Sequence, residues 1–184
     1  GDEPKPQLLT AAQALCADDF KHFDDAVTAA LISRPEDLPL IATMAVGTDN
    51  IHPQLLARFG LCAVTVPCRD PKDRDRIVNH HLTFDDDPDS FIATCTDATN
   101  EVVNRICAAR DKLPELEWPG AARNKFTELL TLAHAPGQRA DLGLARSATA
   151  YAAWRGDNNV VVEAVTAVAE LVLSPGSDTP LRAP

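Results

Sequence analysis

Residues 38–46 read LPLIATMAV, an apolar run broken by one polar side chain, Thr43. A strand open to water on one side alternates apolar and polar residues, so a run like this predicts a strand covered on both faces. Its surroundings narrow the choice further. The segment FDDAVTAALIS (23–33) has a helical pattern and stops near Pro35, and HPQLLARF (52–59) places Pro53 at a first helical position and ends before Gly60. PQLLTAAQAL (6–15) is Ala/Leu-rich and helical in pattern. The apolar run in ALCADD (14–19) ends on two carboxylates, and LCAVTV (61–66) predicts another strand, closed by Pro67. Strands separated by helices predict parallel pairing through right-handed crossovers.

Beyond Pro71 the pattern is helical throughout. KDRDRIVNHHLTF (72–84) is charged and amphipathic, and DDDPDS (85–90) is a turn able to cap the next helix. TNEVVNRICAARDKL (99–113) carries an apolar stripe through residues 102, 103, 106 and 107. Pro114 and Pro119 bracket a linker, after which 121–135, 139–156 and 160–173 complete a helical bundle. The expected organisation is an α/β portion over 1–70, a helical portion over 71–176 and a loose tail over 177–184, predominantly helical overall.

Composition excludes some classes of function. With 45% hydrophobic residues the chain can bury a core, and a net charge of −10 opposes broad binding to nucleic acid or anionic membrane, which rests on Lys and Arg. No apolar run approaches the roughly 20 residues of a membrane helix, and no signal peptide opens the sequence. The expected setting is the cytoplasm. Five cysteines, at 16, 62, 68, 95 and 107, form no CxxC pair, which predicts buried thiols in a reducing compartment. His80 and His81 are adjacent rather than four apart, a poor spacing for a helical zinc site. Asp85, Asp86 and Asp87 beside Pro88 read as a solvated turn.

Three blocks, in order, carry a resemblance. TMAVGTDNIHPQLLARFGL resembles TMNPEEGxLRPQLLDRFGL, LCADDFKHFDDAV resembles IDExNLLDDHxV, and GQRADLGLARSATAYAAWRG resembles GLRADxxLxRAARALAALxG. These patterns are those of the magnesium-chelatase ATPase subunits of the AAA+ superfamily, and DPKDRDRIVNHHLTFDDDPDSF fits that family's link between core and lid. The resemblance spans roughly residues 1–173. It implies an α/β core remnant with parallel strands plus an all-α lid, ring assembly with like or unlike AAA+ subunits, and the cofactors ATP and Mg²⁺.

Site residues come from the same resemblance. Asp18 and Asp19 fall on the Walker B acids, Asp18 holding Mg²⁺ through water and Asp19, one methylene shorter than the usual Glu, polarising the attacking water. Read without the family, the same pair simply ends a strand in solvent. Arg58 falls on the arginine finger supplied to a neighbour's γ-phosphate; otherwise it is a surface arginine near a helix C-terminus, where a cation suits the macrodipole. Arg139 falls on the lid's sensor 2 position, and Arg146, seven residues on, is a second phosphate or interface contact.

The departures are as informative. Ala45 stands where the family has the sensor 1 asparagine, with Asn50 a substitute only if the loop folds differently. The stretch ALISRPEDLPL is too short for the family's β-hairpin, SPGSD replaces the basic end of the last helix, and no GxxxxGK(S/T) occurs. Without the strand that precedes such a loop, 38–46 and 61–66 would flank an empty slot with unpaired edges. A sequence that is part of a longer protein accounts for this best; a reduced descendant, or a partner that supplies the strand, are the other readings. Three functional classes stand: the rear half of an ATP-driven module for metal insertion into a tetrapyrrole, a degenerate ring or regulatory subunit that keeps Arg58 to act in trans, and a helical protein-interaction scaffold that binds no nucleotide.

Overall fold

The computed structural model describes residues 14–20, 23–33, 38–45, 59–133 and 137–173. In chain order these hold β1 (Leu15–Ala17), α1 (Asp25–Ile32), β2 (Leu40–Ala42), α2 (Pro71–Asp86), α3 (Pro88–Lys112), a 3-10 turn (Leu113–Glu115), α4 (Gly120–Leu132), α5 (Gln138–Arg155) and α6 (Val162–Leu173). The chain divides into two compact units, 1–62 and 63–184. The architecture is mostly helical with a small parallel sheet, as the sequence predicts.

In the first unit β1 and β2 pair in parallel with Leu15 opposite Leu40 and Ala17 opposite Ala42. The crossover between them contains α1, capped by the Asp24 side chain, which accepts from the Val27 N–H at 2.8 Å. Ala17, Phe20 and Leu31 form the buried centre, with Leu15, Leu40, Ala42, Met44 and Phe59 packed around them. Residues of one strand alternate between faces, so Leu40 and Ala42 turn towards this cluster while Ile41 remains 62% exposed. The strand within 38–46 is therefore shorter than its sequence suggests and is covered on one face, because a two-stranded sheet offers one packed side.

The expected strand at 61–66 does not form. The segment pairs with no strand among the described residues, and Leu61, Val64 and Val66 are 54–78% exposed. Apolar, β-branched composition favours a strand only where a neighbour can take up the backbone N–H and C=O groups. A second correction concerns the cysteines: Cys16, Cys62, Cys95 and Cys107 are exposed and Cys68 is half-buried, so none of the thiols lies in a core. The cores consist of Ala, Leu, Val and Phe instead.

In the second unit Asp70 caps α2 by accepting from the Lys72 N–H at 2.8 Å, with Pro71 at the first helical position. Asp87 closes α2 and caps α3, accepting from the Ser90 N–H at 3.1 Å, as the turn at 85–90 predicts. Helix α3 begins at Pro88 and so runs well ahead of the stripe at 99–113. At the tip of this helical hairpin Phe91 meets Phe84 and His80 edge-on.

The other end of α3 is pinned to α5. The Arg105 Nε–H donates to the Trp154 carbonyl at 3.1 Å, its guanidinium lies 4.0 Å over the Trp154 ring, and Lys112 Nζ donates to the Gly156 carbonyl at 2.7 Å. Both cations thus sit at the α5 C-terminus, where the helix dipole favours positive charge. Helices α4, α5 and α6 enclose the main core of Leu144, Ala148, Ala152, Val160, Ala164, Val165, Val168, Ala169 and Val172. The linker after α3 closes this bundle: the Glu117 carbonyl accepts from the Val160 N–H, and the Trp118 indole N–H donates to Thr149 Oγ1 at 3.1 Å.

Candidate functional site

Asp18 and Asp19 stand immediately after β1, and Thr43 stands immediately after its parallel neighbour β2. The carboxyl ends of parallel strands are where open α/β sheets place ligands. The Thr43 N–H donates to the Ala17 carbonyl at 2.9 Å, and its own carbonyl accepts from the Phe20 N–H at 3.2 Å. Pairing thus continues past the strand ends and brings the Thr43 side chain to the Asp18 carboxyl group and the Asp19 backbone. The Thr43 hydroxyl donates to Asp18 Oδ1 and accepts from the Asp19 N–H at 3.0 Å. Asp19 adopts φ 46°, a left-handed conformation that Asp tolerates better than most residues. Asp18 is exposed and Asp19 half-buried, above the packed Phe20 and Ala17.

The Asp18 carboxylate and the Thr43 hydroxyl beside it are hard oxygen donors. Such a set suits Mg²⁺ held through its water shell and does not suit a thiolate-seeking metal. Ala45 presents a methyl group two residues beyond Thr43 and has no side-chain donor or acceptor.

Arg139 and Arg146 belong to the second unit. Arg139 lies in the first turn of α5, and Arg146 lies two turns on; both are exposed, as is Leu142 between them. Their face is set by what α5 buries: Leu144, Ala148 and Ala152 turn towards α6, which leaves 139, 142 and 146 outward. Arg58, Asp49 and Asn50 lie outside the described residues, as do the helical patterns at 6–15 and 52–59 apart from the ends of each. Among the described residues no three or more His, Cys, Asp and Glu side chains form a group able to hold a metal, and no helix is long and apolar enough to cross a membrane.

Thr43 is the site residue that sequence reasoning passed over. The signal was there: it is the one polar residue in LPLIATMAV. Which partner it would meet depended on strand register, which the sequence did not supply.

Residues 125–176 match the AAA lid domain family. An uncharacterised protein of Mycobacterium tuberculosis is 37% identical over 134 residues, 73% of this chain and 21% of that protein. The magnesium-chelatase 38 kDa subunit of Chlorobaculum tepidum is 32% identical over 77% of this chain and 36% of its own length. The corresponding subunit of Rhodobacter capsulatus is 32% identical over 78% of this chain and 41% of its own. This chain therefore spans between about a fifth and two fifths of these relatives. A solved structure described as a candidate ATPase from Cytophaga hutchinsonii superposes with a TM-score of 0.63 at 13% identity, covering 89% of this chain and 58% of that one, which establishes a shared fold. The chain is accordingly an AAA+ relative of the magnesium-chelatase subunits, and it carries an AAA lid domain.

Proposed function

We propose that this chain forms the Walker B, arginine-finger and lid part of a ring subunit of magnesium-chelatase type, with a regulatory rather than a self-sufficient role in ATP-driven metal insertion into a tetrapyrrole. The observation that carries the proposal is the meeting of Asp18, Asp19 and Thr43 at the ends of two parallel strands, in a chain whose later helices match an AAA lid. In this reading Asp18 holds the hydrated Mg²⁺ of a bound ATP, and the ion supplies charge neutralisation at the phosphates. Asp19 orients the attacking water. Arg139 and Arg146 present cations from the lid, and Arg58 is offered across a subunit boundary to ATP held by a neighbour.

The sensor 1 side chain is replaced by the methyl group of Ala45, and the usual Walker B glutamate by the shorter Asp19. Both facts favour action in trans, on a neighbour's nucleotide, in a cytoplasmic ring. The test combines the chain with a magnesium-chelatase-type ATPase subunit and measures ATP turnover. Stimulation that Arg58→Ala lowers by about 10³-fold or more supports the finger, in keeping with the worth of such arginines elsewhere. No stimulation, together with no nucleotide binding by titration calorimetry, would replace this reading with that of a helical interaction scaffold.

A further inference from the structure

The geometry points to Thr43 as the positioning residue of the Asp18–Asp19 pair, an inference that rests on the reading of Asp18 as the acid that holds hydrated Mg²⁺. A threonine hydroxyl carries one proton and two lone pairs. The Asp19 N–H, 3.0 Å away, takes up a lone pair, and the single proton is directed to Asp18 Oδ1. A hydroxyl that donates to an ionised carboxylate makes one of the stronger kinds of hydrogen bond, so it fixes the plane of the Asp18 group. With Oδ1 held, Oδ2 is the oxygen turned to a hydrated cation.

The same hydroxyl also secures the Asp19 amide in its left-handed turn at φ 46°. One side chain just past β2 thus holds both the Asp18 carboxyl group and the Asp19 backbone, just past β1. The backbone of Thr43 is itself tied to Ala17 and Phe20 on either side of the pair, so the hydroxyl does not depend on a flexible stem. In this chain Thr43 performs part of the orienting task for which Ala45 has no polar group.

The experiment is an amide NMR titration of the full chain with Mn²⁺ alone, whose paramagnetism broadens nearby signals. The wild-type amides of residues 18–20 should broaden, and Asp18→Asn should abolish this. Thr43→Val should require roughly ten times more Mn²⁺ for the same broadening, the scale typical of groups that orient a metal's ligands. Thr43→Ser, which keeps the hydroxyl, should stay close to wild type. The amides of Asp85, Asp86, Asp87 and Asp89 in the acidic turn serve as an internal reference and should respond alike in every variant. If Thr43→Val loses the dispersed spectrum of a folded chain, Thr43→Ala takes its place.

A hydroxyl-free variant that titrates like wild type, while Asp18→Asn loses the broadening, overturns the role of Thr43 and leaves Asp18 in place. Broadening at 18–20 that is absent in the wild type, or that survives Asp18→Asn, removes the reading of Asp18 itself and this inference with it.

Discussion

The α2–α3 hairpin and the α4–α6 bundle belong to the same unit, and both have the helical periodicity of soluble amphipathic helices, yet they differ in what they bury. Neither α2 nor α3 has a buried residue, and Ile77, Val78, Leu82, Ile92, Val103 and Ile106 are 48–57% exposed. In the bundle, α6 alone buries Ala164, Val165, Val168, Ala169 and Val172. The contrast arises from side-chain size and neighbours. Helix α5 turns Ala148 and Ala152 towards α6, and small residues let two helix axes approach closely. The approach is tight enough that a Cβ built on Gly143 would lie 3.3 Å from Val172 Cγ1. The hairpin instead makes contact at its ends: through Phe84 and Phe91 at the tip, and through Arg105 and Lys112 at the foot. An apolar stripe predicts a helix; it does not say whether anything covers the stripe.

Mutation can sharpen or break this comparison. The largest effect is expected at Leu144, fully buried between α5 and the rest of the bundle. Leu144→Ala should lower stability by about 2–5 kcal/mol, read from chemical denaturation, because it removes buried methyl groups and leaves a cavity. A smaller loss is expected at Gly156, which ends α5 with φ 80° and has open space where a Cβ would go. Gly156→Ala should therefore cost about 1–2 kcal/mol through backbone conformation alone, without a clash. The smallest effect is expected in the hairpin: Ile106 is 53% exposed, and Ile106→Ala should change stability by less than about 0.5 kcal/mol. An Ile106→Ala loss as large as that of Leu144→Ala would show that the α3 stripe is covered in solution, and the contrast between the two regions would fail.

Legibility tracked the range of the interaction that decides each feature. The helices were readable in outline because their determinants are local, as at Pro71 and in the capping turn at 85–90, although α3 starts at Pro88, ahead of the stripe read at 99–113. The parallel pairing of β1 with β2 was also readable, since a helix separates two apolar runs. At 61–66 the reading failed, because a strand needs a partner that composition cannot name. The thiols were misplaced because cysteine is often, but not necessarily, a core residue.

The candidate site divides along the same line. Asp18, Asp19, Arg139 and Arg146 were identified by motif blocks, and the structure places the two acids at a strand end and the two arginines on the outward face of one lid helix. Thr43 was not identified, since its importance lies in a hydrogen bond to a residue 25 positions away.

By itself, then, the sequence determined the helical character beyond Pro71, the capping turn at 85–90, the family resemblance and the order of the motif blocks, all of which are written in short stretches of the chain. The tertiary structure decided which apolar faces are covered, how long the strands run and which side chain orients the acids. Those outcomes depend on register and close approach between segments far apart in the chain, where a shift of one residue would turn Thr43 away from Asp18 to the opposite face of the sheet.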